Sequence, residues 1–196
     1  MSRIPGAGVT RRLVFALPLV LAGCKSQEPN YYTLRALPGA VQGGGPRLVE
    51  LRRIGLAGYL DRPEIVRNNS DYRLSIGGQE RWGEPLGELV ARVLAEDLNM
   101  RLSGSNVFTS AGTITADPDA TIELDLQRFD ADASGAVALL AQVAVKRGRA
   151  RDRAAARTVR LVVPPAGATM TDLVAAMSGA LGQLADQVAG LVRGAG

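Results

Sequence analysis

The stretch Ile122-Glu123-Leu124-Asp125-Leu126-Gln127 alternates apolar with polar residues, and the same period returns twice downstream. Val137, Leu139, Ala141, Val143 and Val145 carry it first, then Val159, Leu161 and Val163. Successive side chains of a strand point to opposite faces, so each segment predicts a strand with one buried face. Turn-prone residues separate the segments, around Ser134-Gly135 and over 148–156, and Pro164-Pro165 stops the third. Three such strands in succession predict an antiparallel meander.

A sheet with one apolar face needs a second layer to cover it. Working outward, Leu86, Leu89, Val90, Val93, Leu94 and Leu98 recur at helical spacing. Glu88, Arg92 and Glu96 fall between them at four-residue steps, which suits mutual support on a solvated face. Pro85 suits the first helical turn and Gly104 ends the run. A second helix is predicted over 171–192, with Leu173, Val174, Met177, Leu181, Leu184, Val188, Leu191 and Val192 on one face. Gly179, Gly182 and Gly190 each weaken it by about 1 kcal/mol, so packing must hold it and close approach to the sheet is expected.

Upstream, Tyr31-Tyr32-Thr33-Leu34 is β-prone, 38–46 is a Gly/Pro loop, 47–56 reads as a strand, and Gly55 and Gly58 flank Ala57 to Leu60, which reads as a bend. Residues 61–82 read as a hairpin. Ile65-Val66-Arg67 and a half-buried Tyr72-Arg73-Leu74-Ser75-Ile76 are its arms, around the turn Asn68-Asn69-Ser70-Asp71. The fold class that follows is α+β: a single domain, a largely antiparallel sheet with two principal helices packed on it.

The start of the chain carries a different message. Arg3, Arg11 and Arg12 precede a short apolar run, Leu13 to Ala22, interrupted by Pro18 and about half the length of a spanning helix. Basic start, short apolar run and small-residue exit predict a secretory signal over 1–23. Its exit, Leu21-Ala22-Gly23-Cys24, resembles a bacterial lipobox, in which the thiol receives a diacylglyceryl group. Cys24 is the only cysteine of the 196 residues and is the expected lipidation site. Residues 24–30 then form a polar tether and 31–196 the globular domain. Lys25 after the cysteine points, by the sorting habit of such lipoproteins, to the outer membrane with the domain facing the periplasm.

Composition excludes several chemistries. There is no histidine, which removes the commonest general base and every His-dependent catalytic or metal site. With the only thiol acylated, no intrachain disulfide can form. The net charge of +4 falls to +1, 20 basic against 19 acidic residues, once the three signal arginines are gone. Bulk charge therefore gives no case for a nucleic-acid partner. No cofactor or metal is expected. Asp130-Ala131-Asp132-Ala133-Ser134-Gly135 opens like a calcium loop, but its twelfth position is Ala141, so it reads as a turn. The run Lys146, Arg147, Arg149, Arg151, Arg153, Arg157 is either a solvated hairpin tip or a contact for an acidic surface. Trp82, the only tryptophan, is either a plug over the first helix or a partner contact. Trp82, Arg147, Arg149 and Arg151 are the candidate partner-contact residues.

Three blocks carry a family resemblance. Ile54-Gly55-Leu56-Ala57-Gly58-Tyr59-Leu60-Asp61-Arg62-Pro63-Glu64-Ile65-Val66 resembles the signature of ABC-type transport auxiliary lipoproteins, the PqiC/YmbA-like family. Arg81-Trp82-Gly83-Glu84-Pro85-Leu86, followed by Val93-Leu94-Ala95-Glu96-Asp97-Leu98, looks like its second block, with Gly83 where the family usually has Ala. Tyr31-Tyr32-Thr33-Leu34 matches the usual start of the domain. The resemblance implies a non-enzymatic accessory lipoprotein of an MCE-type ABC transport system that moves lipids between inner and outer membranes. Its implied partners are an MCE-domain protein and an inner-membrane permease or ABC transporter components, with the chain acting alone or as a homo-oligomer. It implies no catalytic residues, and the chain has no phosphate-binding G-x-x-x-x-G-K-[ST] loop. The alternative is a structural envelope lipoprotein, an assembly or peptidoglycan-associated adaptor without transport.

Overall fold

In the computed structural model, which describes residues 28–68, 72–148 and 154–194, the period-two segments are the three longest strands. In chain order the elements are β1 (Asn30–Tyr32), β2 (Gln42–Gly43), β3 (Leu48–Leu51), β4 (Gly55–Leu56), β5 (Glu64–Asn68) and β6 (Leu74–Trp82). Then come α1 (Leu86–Arg101), β7 (Leu102–Ser103), β8 (Asn106–Thr109), β9 (Ala120–Ala131), β10 (Val137–Arg147), β11 (Ala154–Val163) and α2 (Met170–Gly194).

The main sheet runs β1-β6-β5-β9-β10-β11, with β3 and β4 also lying along β9 and β8 beside β3. β9–β10, β10–β11 and β5–β6 are antiparallel, so the meander and the hairpin form as their patterns predict. The short strands add differently: β1 on β6, β3 on β8 and β9, and β4 on β9 are all parallel. A single parallel bridge, Arg67 to Ala131, joins the hairpin to the meander. The architecture is α+β with two helices on a mixed sheet.

One face of β9–β11 is buried. Ile122, Leu124, Leu126, Phe129, Leu139, Ala141, Val143 and Val145 pack in one core with Leu89, Val93, Leu94 and Leu98 of α1 and Leu181, Leu184, Val188 and Val192 of α2. Each large apolar side chain removed from water contributes about 1.5–3 kcal/mol, which is how α2 tolerates its glycines. Of its glycines, Gly179 faces the sheet, where a Cβ would meet Val163 of β11 at 3.9 Å, while Gly182 permits close approach of Leu37 and the Arg101 side chain.

Two expectations are corrected. Residues 47–56 are two strands, not one, because the register along β9 slips by one residue between Leu51, opposite Ile122, and Gly55, opposite Asp125. Gly55 fits there because a Cβ would sit 2.6 Å from the Asp125 carboxylate. The second hairpin arm is not half-buried: the first six residues of β6 are exposed on both faces, although Val66 opposite Ile76 is buried. The helix ends at Arg101, just before Gly104 as expected, and the chain then returns as β7 and β8, turning at Gly104 with φ +87°.

Candidate functional site

The segment that follows the expected anchor is fastened to the body by polar groups placed inside the core. β1 pairs in parallel with the end of β6, Asn30 to Tyr32 lying opposite Glu80 to Trp82, and the Gly83 N–H donates to the Tyr32 carbonyl at 2.9 Å. Leu34, 2 % exposed, then drops into the core. Beyond it the chain makes no strand and must find other partners for its backbone. The Arg35 N–H donates to Ser178 Oγ at 3.1 Å, and the Leu37 N–H to Asp97 Oδ1 at 2.9 Å.

Arg101 completes this clamp. It is 2 % exposed, and its guanidinium donates to the Leu37 carbonyl (2.9 Å), the Asp97 carbonyl (3.0 Å) and Asp97 Oδ1 (3.1 Å). It also reaches across to α2, to Asp186 Oδ1 at 2.6 Å and the Gly182 carbonyl at 3.1 Å. A buried cation is tolerable only with such satisfaction. Gly39 lies so close that a Cβ would stand 2.4 Å from the guanidinium carbon. Asp97 is itself fully buried, and its Oδ2 finds no partner among the described residues. Burial therefore raises the Asp97 carboxyl above its ordinary range, against the opposing pull of the Leu37 N–H and Arg101. Sequence reading passed over this pair. The signal was present, since Asp97 and Arg101 continue the α1 stripe at i+4 from Val93 and Asp97, where apolar residues belong.

The family signature over 54–66 proves to be a packing motif. Leu60 and Ile65 are core residues, and Gly55 allows the backbone approach described above. The Tyr59 hydroxyl donates to the buried Asp130 at 2.5 Å, and Arg128 donates to the other carboxylate oxygen at 3.0 Å. Burial and this carboxylate push the Tyr59 phenol far above its ordinary value, so it stays a donor.

The sequence-named residues are dispersed. Cys24, Arg149 and Arg151 lie outside the described residues. Trp82, 4 % exposed, plugs the core beside Pro85 and Leu86. Arg147 donates to the Val192 carbonyl at 2.6 Å, so a cation sits at the C-terminus of α2, where the helix dipole favours it. Arg157 donates to Gln187 of α2 and Lys146 pairs with Glu123. The calcium-like run is a turn: Asp132 Oδ1 accepts from the Ser134 N–H and hydroxyl and from the Ala136 N–H, and Gly135 takes φ +86°. Among the described residues no group of three or more His, Cys, Asp or Glu could hold a metal, and no helix is long and apolar enough to cross a membrane. The described clefts are surface grooves, such as one of about 720 Å³ between α1 and residues 106–114 and one of about 540 Å³ between the β9–β10 turn and the start of α2.

Comparison with known proteins gives this arrangement a context. A model of the family described as ABC-type transport auxiliary lipoprotein component matches residues 32–189. The chain is 31 % identical over 97 residues to the intermembrane transport lipoprotein PqiC of Escherichia coli K12 and, equally, of Shigella flexneri. That match takes in 47 % of this chain and spans 52 %, about half, of the relatives' length. Among solved structures, an uncharacterised protein superposes with a TM-score of 0.70 at 18 % identity, covering 83 % of this chain and 97 % of the other. A Xanthomonas campestris protein of the DUF330 family superposes with a TM-score of 0.68 at 18 % identity, covering 84 % and 94 %. At that identity the two structures speak for the fold alone.

Proposed function

From a chain that belongs to the ABC-type transport auxiliary lipoprotein component family, we propose a non-enzymatic subunit of an MCE-type system that moves lipids between the two membranes of the envelope. In this reading Cys24 carries the acyl chains in the outer membrane and the domain faces the periplasm. The observation that carries it is the family match over 32–189, which begins eight residues after Cys24 and takes in the whole clamped domain.

The fold suits a docking body. The segment after the anchor is tied to both helices through Arg101, Asp97 and Ser178, so a load on the lipid reaches the core rather than a loose tail. β9 and β10 run from the end of the sheet near the β5–β6 turn to the opposite end, about 35 Å for the eleven residues of β10. The basic residues Arg149 and Arg151 follow β10 in sequence, and an MCE-domain protein or transporter component is the proposed acidic partner for them.

The test is co-purification from detergent extracts of cells making the lipidated chain. Capture of an MCE-domain protein, weakened by joint Arg149→Glu and Arg151→Glu substitution, is the expected result. No capture, together with an unchanged envelope permeability on deletion, would sink the proposal.

A further inference from the structure

The run into β6, from Tyr72 to Ile76, is exposed among the described residues. Tyr72, Leu74 and Ile76 are 106 %, 43 % and 42 % exposed. They are spaced by two, so Leu74 and Ile76 share one face of β6 with Tyr72 just beyond its start. A Cβ at Gly77 or Gly78 would meet nothing within 4 Å, so the arm is bare along its length. Tyr72 also holds φ +56°, a left-handed conformation costing a side-chain-bearing residue about 1–2 kcal/mol. Glycine or asparagine would serve that turn with less strain, so turn geometry does not account for an aromatic there.

The direction of the chain says what faces this stretch. β1 is parallel to β6, with Asn30 opposite Glu80, so the backbone before Asn30 leaves the sheet toward the start of β6. Cys24 stands six residues before Asn30, and Leu74 stands six residues before Glu80. Six residues reach at most about 20 Å, so a membrane holding acyl chains on Cys24 lies within that distance of Asn30.

We propose that Tyr72, Leu74 and Ile76 form a second contact with the lipid surface that carries the Cys24 anchor. The inference rests on the lipid-anchor reading given above. The chemistry fits a bilayer interface: two aliphatic side chains for the acyl boundary and a tyrosine whose hydroxyl stays at headgroup level. Arg67, opposite Ser75 in register, and Arg73 are exposed on the other face of the same arm and suit lipid phosphates. A second copy of the chain fits less well, because Gly77-Gly78 weakens an edge strand for pairing and Arg73 is the kind of charge that discourages it. The anchor supplies affinity, and the hairpin fixes which end of the domain faces the membrane.

The test uses the lipidated full chain in vesicles of phosphatidylethanolamine and phosphatidylglycerol, with ordinary or brominated acyl chains. Tryptophan reporters are placed by Tyr72→Trp and, separately, by Ile114→Trp, an exposed site in the loop leading to the far end of β9. Buried Trp82 gives both the same background. Bromine should quench the Tyr72→Trp signal by about half and leave the Ile114→Trp signal unchanged, as expected of a side chain lying in the acyl boundary. Adding Leu74→Ser and Ile76→Ser should abolish the quenching while flotation with vesicles persists. Equal quenching at both sites, or none at either, with flotation intact, overturns the hairpin contact alone. A Tyr72→Trp reporter shielded from water yet untouched by bromine means that protein covers the arm, which also overturns it. Failure to float overturns the anchor reading and this proposal with it.

Discussion

Two regions meet the chain that leads away from Cys24, and they are built in opposite ways. The clamp around Leu37 is polar and buried: Arg101 and Asp97 are almost wholly out of water and every bond they make holds backbone or an opposing charge. The β5–β6 arm is apolar and exposed, with Leu74 and Ile76 open to solvent and glycine following them. Each inverts the usual rule of apolar inside and polar outside. The clamp accepts a desolvation cost in order to hold one segment in one place. The arm leaves apolar surface uncovered, which is useful only if something outside the fold covers it.

The largest effect expected is from Arg101→Ala. It leaves Asp97 buried without its cation and frees Leu37, and should cost about 3–5 kcal/mol, read as a lowered urea midpoint. A cost under about 1 kcal/mol would mean that water enters the site freely and that the clamp is not a buried one. Next comes Gly39→Ala. The guanidinium is tied on several sides and cannot step aside for a Cβ at 2.4 Å, so the segment must move, at about 1–3 kcal/mol. Ser178→Ala removes the acceptor of the Arg35 N–H and should cost about 1 kcal/mol in the same assay.

How far these regions were legible in the sequence follows from what each element depends on. The meander, the hairpin and both helices were readable because local period decides them. The slip between Leu51 and Gly55 was not, since it is set by Asp125, seventy residues away. The exposed face of β6 was misread for a related reason: alternation says that a strand has two faces, not that a layer covers one. The clamp sat within reach, because Asp97 and Arg101 interrupt an apolar stripe at helical spacing. Their partners Leu37, Gly182 and Asp186 depend on the packing of three distant segments, and no period announces that. Of the residues named for partner contact, Trp82 and Arg147 were read by chemical type, and the fold places both inside its own framework.

The clamp also carries a pH signature. Burial raises the Asp97 carboxyl, so the folded chain keeps that proton to a higher pH than the unfolded chain does. The stability this contributes is fully present below the ordinary carboxylate value and is lost as pH rises through the raised one. Asparagine does not titrate. Asp97→Asn should therefore gain on the wild type as pH goes from about 3 to about 7, measured as the difference between their urea midpoints at each pH. A difference that stays flat would mean that Arg101 cancels the desolvation of Asp97.

The smallest effect belongs to the arm. Ile76→Ser and Leu74→Ser, alone or together, should leave the unfolding midpoint of the detergent-solubilised chain within about 1 kcal/mol of wild type, because both side chains are more than two-fifths exposed and the one buried neighbour in register is Val66, opposite Ile76. An arm that helped to build the core would behave as Arg101 does, and a loss above about 1 kcal/mol would place it there. In that event the contrast between a region made for holding and one made for touching would fail, and exposure in the isolated chain would be a poor guide to what the hairpin does. A neutral result separates the two regions by their energetics as well as their geometry. It leaves the apolar face of β6 with no structural reason to be apolar.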